Sequence, residues 1–237
     1  MSIGSVLDEA WTLFTRFFLR FFLIALVVFA AINLLYALVV AAITSDNDGA
    51  AVALAVLGLA TAVIGATWLQ GAFVYAVQDA RDGTFDQSLS QIFSRVAPSI
   101  LPLLGAGLLA GLGIALGFLL LIVPGFILLT IWSVVAPVVV VERRPVLEAF
   151  GRSRELVRGY GWTVFFIVII TGLLSGVASA LLQAAFSALP EFLEIFIGST
   201  IAQAVVTPFA AIAIAIMFFR LREAHGEAPE PVEPAAA

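Results

Sequence analysis

Cysteine and lysine do not occur among the 237 residues, and histidine occurs once, at His225. Without cysteine there is no disulfide and no thiolate metal site, and the redox compartment leaves no trace in the composition. Charge of either sign is scarce, at 11% of residues against 62% hydrophobic, where a soluble domain carries roughly a quarter charged. A mean hydropathy of +1.15 excludes a soluble fold, because only lipid can solvate so much apolar side chain. A cleaved signal is not expected either. Met1 to Arg20 mixes charges, and no small-residue cleavage site follows a short apolar core.

What is present is a set of long gaps between charges. Arg20 to Asp46 leaves 25 uncharged residues, Asp48 to Asp79 leaves 30, Arg95 to Glu142 leaves 46, Arg158 to Glu191 leaves 32, and Glu194 to Arg220 leaves 25. One crossing needs about 20 residues, so four gaps fit one crossing each. A continuous helix over the longest gap would reach roughly 69 Å at 1.5 Å per residue, which is two crossings. Pro124-Gly125 inside it favours a turn. The chain therefore reads as an all-α, polytopic membrane protein in three hairpins, with transmembrane helices near 18–43, 51–78, 100–122, 126–141, 161–186 and 195–219. The shortness of 126–141 leaves a re-entrant hairpin as the other reading of the third pair.

The eleven arginines then sort to one side: Arg16 and Arg20; Arg81 and Arg95; Arg143, Arg144, Arg152, Arg154 and Arg158; Arg220 and Arg222. The other side holds "TSDNDGA", the "VPG" turn and "LPEFLEIF", with four carboxylates and no arginine. An excess of basic residues marks the cytoplasmic loops, which places both termini inside the cell and the protein in the inner membrane. Interfacial amphipathic helices are expected near 4–16, 85–97 and 145–158. In the last, Pro145 suits a first helical position, and Glu148/Arg152 and Arg152/Glu155 stand at helical pairing distances. Arg144, Arg152, Arg154 and Arg158 could meet anionic headgroups or a protein partner, or could serve only as a topology anchor.

The plan recurs. "VLDEAW" at Val6 to Trp11 resembles "VLEAF" at Val146 to Phe150, and "ARDG" ending at Gly83 is echoed by "LREAHG" ending at Gly226. A weaker middle unit begins at "FDQSLSQIFSR". Residues 223–237, rich in glutamate and proline, are expected to form a disordered acidic cytoplasmic tail, with His225 solvated in it.

No ionisable residue falls in the middle of a predicted crossing. That removes HExxH-type metal sites, carboxylate dyads and Ser/His catalysis, and weakens a proton-coupled transporter, which needs a buried relay. No enzyme activity, cofactor or metal is expected, and no nucleic-acid partner. Among polar intramembrane residues, Asn33, Gln70 and Gln203 read as interhelical hydrogen-bonding groups or as the lining of a cavity. Gly107/Gly111 and Gly113/Gly117 form two GxxxG spacings, suited to close helix packing within the bundle or in a homo-oligomer. Pro137 and Pro208 interrupt two helices and are expected to kink them.

The stretch from Leu120 to Trp162, with Pro124-Gly125 after an apolar run, Ala136-Pro137 before Glu142, and "EAFGRSRELVRGYGW", resembles a known family. It is similar to the membrane domain of glycerophosphoryl diester phosphodiesterases and to related uncharacterised six-helix bacterial membrane proteins. Ser153, Leu156, Gly159 and Trp162 fit that family's Ser-x-x-Leu-x-x-Gly-x-x-Trp pattern, and Arg222 and Glu223 match its closing motif. The resemblance implies a six-helix bundle that in some members precedes a soluble phosphodiesterase domain. Only fifteen residues follow Arg222, so the activity is not implied here. The expectation is a non-enzymatic integral membrane protein, lipid-associated or a scaffold for a partner. The alternatives are a transporter or lipid-translocation protein, and the membrane subunit of a split phosphodiesterase system.

Overall fold

The structure, a computed structural model, describes residues 1–44, 48–81 and 83–227. Helix is the only regular secondary structure among them. In chain order the elements are α1 (Ile3–Arg16), α2 (Phe18–Thr44), α3 (Asp48–Ala80), α4 (Leu89–Val96), α5 (Ile100–Leu120), α6 (Ile122–Ile131), α7 (Val135–Val141), α8 (Val146–Val157), α9 (Gly161–Phe186), α10 (Glu191–Leu193) and α11 (Ser199–Ala224). A 3-10 turn, Ala97–Ser99, joins α4 to α5, and a π-helical turn, Glu194–Gly198, joins α10 to α11. Six stretches are long and apolar enough to cross a membrane: Phe18–Thr44, Gly49–Ala80, Leu89–Leu120, Ile122–Val141, Gly161–Phe186 and Glu191–Ala224.

α2 packs along α3, α5 along α6, and α9 along α11. α11 is the central helix and also touches α1, α2, α3 and α8. Of the most apolar window in its span 56% is buried inside the protein, against 6% for the α3 span. Ile212, Ile216, Met217, Phe218 and Leu221 of α11 are fully enclosed. The outer helices instead turn Leu19, Val56, Leu59, Leu119 and Leu173 outward, a surface that lipid tails can cover but water cannot. α1 buries Val6, Ala10 and Leu13. α4 is shorter than the expected 85–97 because Ser88 and Gln91 close a reciprocal capping box that starts the helix at Leu89.

The turn of the third pair does not lie at Pro124-Gly125. The chain breaks at Leu121, the sole extended residue between α5 and α6 (φ −159°, ψ 145°), and Pro124 lies in the first turn of α6. A proline there loses no helical hydrogen bond, because the first N–H groups of a helix have no partner. Gly125 serves proximity rather than turning: a Cβ on Gly117 would stand 3.0 Å from the Gly125 Cα, and one on Gly113 would stand 2.7 Å from Trp132 Cη2. Gly107 and Gly111, by contrast, have nothing within 4 Å of an added Cβ. Only the second GxxxG spacing is a packing seam.

The span Ile122–Val141 is itself broken. Trp132, Ser133 and Val134 form turns between α6 and α7. Pro137 follows in the first turn of α7, so the interruption precedes the proline rather than occurring at it. Pro208 lies inside α11, whose helix continues through it. Pro145 stands just before α8 rather than opening it.

The acidic segment is not wholly a tail. Glu223 and Ala224 complete α11, and His225, Gly226 and Glu227 turn back onto the bundle. His225 is exposed, but its Nδ1 lies 2.8 Å from the Leu221 carbonyl oxygen and its ring meets Tyr160 edge-on. Residues 228–237 and 45–47 lie outside the described residues. Gly83 and Gly226, the paired glycines of the sequence echo, both adopt positive φ, +90° and +78°.

Candidate functional site

Two ion-pair networks fasten the ends of α3, α7 and α11 to α1 and α8. In the first, Arg81 reaches Glu9 at 3.5 Å and Glu223 at 2.6 Å, and Arg220 reaches Glu9 at 2.6 Å. In the second, Glu142 is shared by three arginines: Arg144 at 2.9 Å, Arg152 at 3.0 Å and Arg222 at 3.7 Å. Glu227 adds pairs to Arg152 and to Arg222, the latter at 2.9 Å. The Glu142 side chain is only 9% exposed. Burial opposes the charge of Arg152, but hydrogen bonds from it to Glu142 and Glu227 outweigh that and hold its pKa above the ordinary guanidinium value. Burial likewise opposes ionisation of Glu227, and the hydrogen bonds from Arg152 and Arg222 overcome it, so its pKa lies below the carboxylate range.

Helical spacing predicts Glu148 and Glu155 as partners of Arg152. Glu155 is near, at 3.9 Å. The close contacts, however, go to Glu142 and Glu227, ten residues before and 75 after Arg152 in sequence. Arg154 and Arg158 differ from Arg144 and Arg152: both are exposed and make no ion pair among the described residues.

Those two arginines rim a groove. With Glu155, Val157, Gly159, Gly161 and Ile131 they line a cavity of about 530 Å³. Ile131, Gly159 and Gly161 also line an adjoining apolar trough of about 580 Å³, formed by Val123, Phe126, Ile127 and Thr130 of α6 and by Tyr160, Trp162 and Phe165 at the start of α9. The trough lies on the outer surface, where Trp162 is 76% exposed. Thr130 satisfies its own hydroxyl by donating to the Phe126 carbonyl at 2.7 Å. The trough is apolar, and two guanidiniums that make no ion pair among the described residues stand at one end.

The motif Ser153, Leu156, Gly159, Trp162 builds this groove. Ser153 is fully buried and donates from Oγ to the carbonyl of Ile131 at 2.7 Å, which satisfies an acceptor at the C-terminal end of α6 that the following break leaves without a helical donor. Leu156 is fully enclosed in the core. Gly159 turns the chain from α8 into α9 at φ +88°, a conformation that side-chain-bearing residues adopt only at a cost. Trp162 forms the outer wall.

A second cavity, about 410 Å³, lies between α3, α5, α7 and α11. Gln70, Ser133 and Thr207 supply its polar lining, with Gly107 and Pro137 among the remainder. No ionisable side chain is among the described residues that line it. Asn33 does not reach it. Asn33 is buried and donates to Thr200 Oγ1 on α11 at 3.3 Å, an interhelical bond of the kind that contributes about 0.6 kcal/mol in a membrane protein. Gln203 is partly buried on α11 and is not among the residues around the cavity. No group of three or more metal-ligating side chains occurs among the described residues.

Fold and site together define a multi-pass, all-helical membrane protein with six candidate spans among the described residues and an apolar groove on its outer surface. Comparison with known protein families, curated proteins and solved structures finds no match.

Proposed function

We propose that this protein is a non-enzymatic, lipid-associated component of the inner membrane that seats one anionic phospholipid in the groove between α6, α8 and α9. The observation that carries this reading is the continuity of the apolar trough with the cavity rimmed by Arg154 and Arg158. An acyl chain fits the trough, and a headgroup phosphate meets the guanidiniums. The bundle is read as three hairpins, each preceded by an amphipathic helix at the cytoplasmic interface. α1, α4 and α8 bury Val6/Ala10/Leu13, Ile92/Val96 and Ala149/Leu156/Val157 respectively, and their other faces mix charged residues with exposed apolar ones, Trp11 on α1 and Leu147 on α8. The resemblance to a phosphodiesterase membrane domain belongs to this reading as a scaffold without the chemistry.

Each basic residue near a membrane surface contributes about 1 kcal/mol toward anionic lipid. The double variant Arg154→Gln/Arg158→Gln should therefore bind anionic phospholipid roughly thirty-fold more weakly, counting 1.4 kcal/mol per decade. Glutamine keeps the helix propensity of arginine, so the fold is retained. Lipid bound per protein in mixed-lipid nanodiscs, counted by native mass spectrometry, gives the comparison. The difference should shrink in high salt, which screens surface charge. Equal retention at low salt would refute the seat.

Orientation has its own check. Reporter fusions after Gly83, Arg144 and Ala237 should all read cytoplasmic, and fusions near Asp48 and Glu191 external, because all eleven arginines fall on one side of the six spans. One external reading among the first three would overturn the arrangement.

A further inference from the structure

The cavity between α3, α5, α7 and α11 lies where the fourth span is broken. Trp132, Ser133 and Val134 form the turns between α6 and α7, and Trp132, Ser133, Val135 and Pro137 all line the cavity. Ser133 and Thr207 fall near the middle of the spans Ile122–Val141 and Glu191–Ala224. Within the hydrocarbon layer, irregular backbone persists only where it is buried in protein or lines a cavity.

The break leaves particular polar groups unserved. A helical carbonyl accepts from the N–H four residues on, and for Ser133 that residue is Pro137, which has no N–H. No backbone or side-chain group among the described residues donates to the Ser133 carbonyl. The Ser133 hydroxyl donates to the Thr130 carbonyl at 2.9 Å and keeps its own acceptor capacity. From α3 and α11, Gln70 and Thr207 bring an amide and a hydroxyl that make no side-chain hydrogen bond among the described residues. Trp132 adds a flat apolar wall, held edge-on to Phe150 at 5.0 Å between ring centroids and packed closely over Gly113.

We infer that this cavity is a binding site for a small uncharged polyol, several hydroxyls on a compact carbon frame. The Ser133 carbonyl only accepts, whereas the Gln70 amide and the Thr207 hydroxyl both donate and accept. A hydroxyl is the group that answers all three. A charged occupant is disfavoured, because no ionisable side chain is among the described lining residues and an unpaired buried charge costs far more than a hydrogen-bonded hydroxyl. An apolar occupant, an acyl chain included, leaves the Ser133 carbonyl and the Gln70 amide desolvated and unpaired. The volume of about 410 Å³ falls within the roughly 300–1,000 Å³ of small-molecule sites. The cavity shares no lining residue with the lipid groove, so either reading can fail without the other.

The test uses the full chain in phosphatidylcholine nanodiscs, which leave both membrane faces open to a titrant. Myo-inositol and glucose are titrated calorimetrically beside two controls, cyclohexanol with a single hydroxyl and gluconate with a charge. At least one polyol should give saturable heat, and neither control should. Gln70→Leu and Pro137→Ala should each weaken that polyol tenfold or more. Gln70 is exposed, so its variant retains the fold. Pro137→Ala restores an N–H that can serve the Ser133 carbonyl, so it removes an acceptor without removing a packing contact of any size. Loss of binding with an unchanged thermal midpoint therefore marks a ligand contact rather than a structural role. Arg154→Gln/Arg158→Gln should leave polyol binding unchanged. Heat from neither polyol overturns the site, as does equal binding of either control, or binding indifferent to both Gln70→Leu and Pro137→Ala.

Discussion

Glutamine in place of Glu142 is expected to destabilise the protein by about 3 kcal/mol or more, the magnitude typical when one partner of a buried ion pair is removed. The isosteric change keeps the volume and removes a carboxylate shared by Arg144, Arg152 and Arg222. Arg152, with its side chain only 15% exposed, then keeps Glu227 as its close partner and Glu155 at 3.9 Å. Thermal unfolding in detergent, followed by tryptophan fluorescence, should show a fall of roughly 6–12 °C, at 2–4 °C per kcal/mol for a chain of this size. The acid limb should change too. Because the native pKa of Glu227 lies below its ordinary value, its share of stability is complete above the ordinary carboxylate range and is lost as pH falls through the lower native value. In the Glu142 variant that loss should unfold the protein at a higher pH than in the parent. A loss below 1 kcal/mol would mean that water reaches the cluster and that it behaves as exposed ion pairs do.

The second large effect belongs to the seam between α5 and α6. Gly117→Val should destabilise by about 1–3 kcal/mol, the cost of overpacking, because a Cβ there meets Gly125 backbone atoms at 3.0 and 3.1 Å, and backbone cannot rotate away. Gly107→Ala and Gly111→Ala carry the opposite expectation. An added methyl meets nothing within 4 Å, and alanine is the better helix former by about 0.5–1 kcal/mol, so both should be neutral or stabilising. The same unfolding assay ranks the three. If Gly117→Val and Gly107→Ala behave alike, the seam is not a close contact.

The two GxxxG spacings show what could and could not be read from sequence. Spacing of four places glycines on one stripe of a helix, but it does not say which neighbour, if any, that stripe meets. The spans themselves were legible because long uncharged runs have few alternatives in water. Their boundaries were less so. Pro124 reads as a turn signal, yet proline is equally at home in the first turn of a helix, and the chain chose that use. The arginines were legible as a group and not as individuals: Arg144 and Arg152 pool with Glu142, Arg154 and Arg158 stay free at the groove, and Arg95 lines a small cavity with Arg143, 48 positions away. Glu223 and Glu227 were assigned to a tail on composition, while their partners Arg81 and Arg152 are 142 and 75 positions distant. No local pattern announces a pairing of that length. The Ser153 to Trp162 motif was visible as a resemblance, but its physical sense, a hydroxyl satisfying the end of α6, requires knowing that the span breaks after Ile131.

The central place of α11 governs how the molecule can be made. A ribosome emits this helix after all the others, so the remaining spans enter the lipid before their common partner exists. Until then Asn33 lacks Thr200, Glu9 lacks Arg220, and Arg81 lacks Glu223. The earlier helices must wait as a loose, polar-marked collar around a vacant axis. Entry of the last segment closes the interhelical bond and both ion-pair networks together. A nascent chain halted before α11 therefore lacks the Thr200, Arg220 and Glu223 partners that Asn33, Glu9 and Arg81 have in the finished protein.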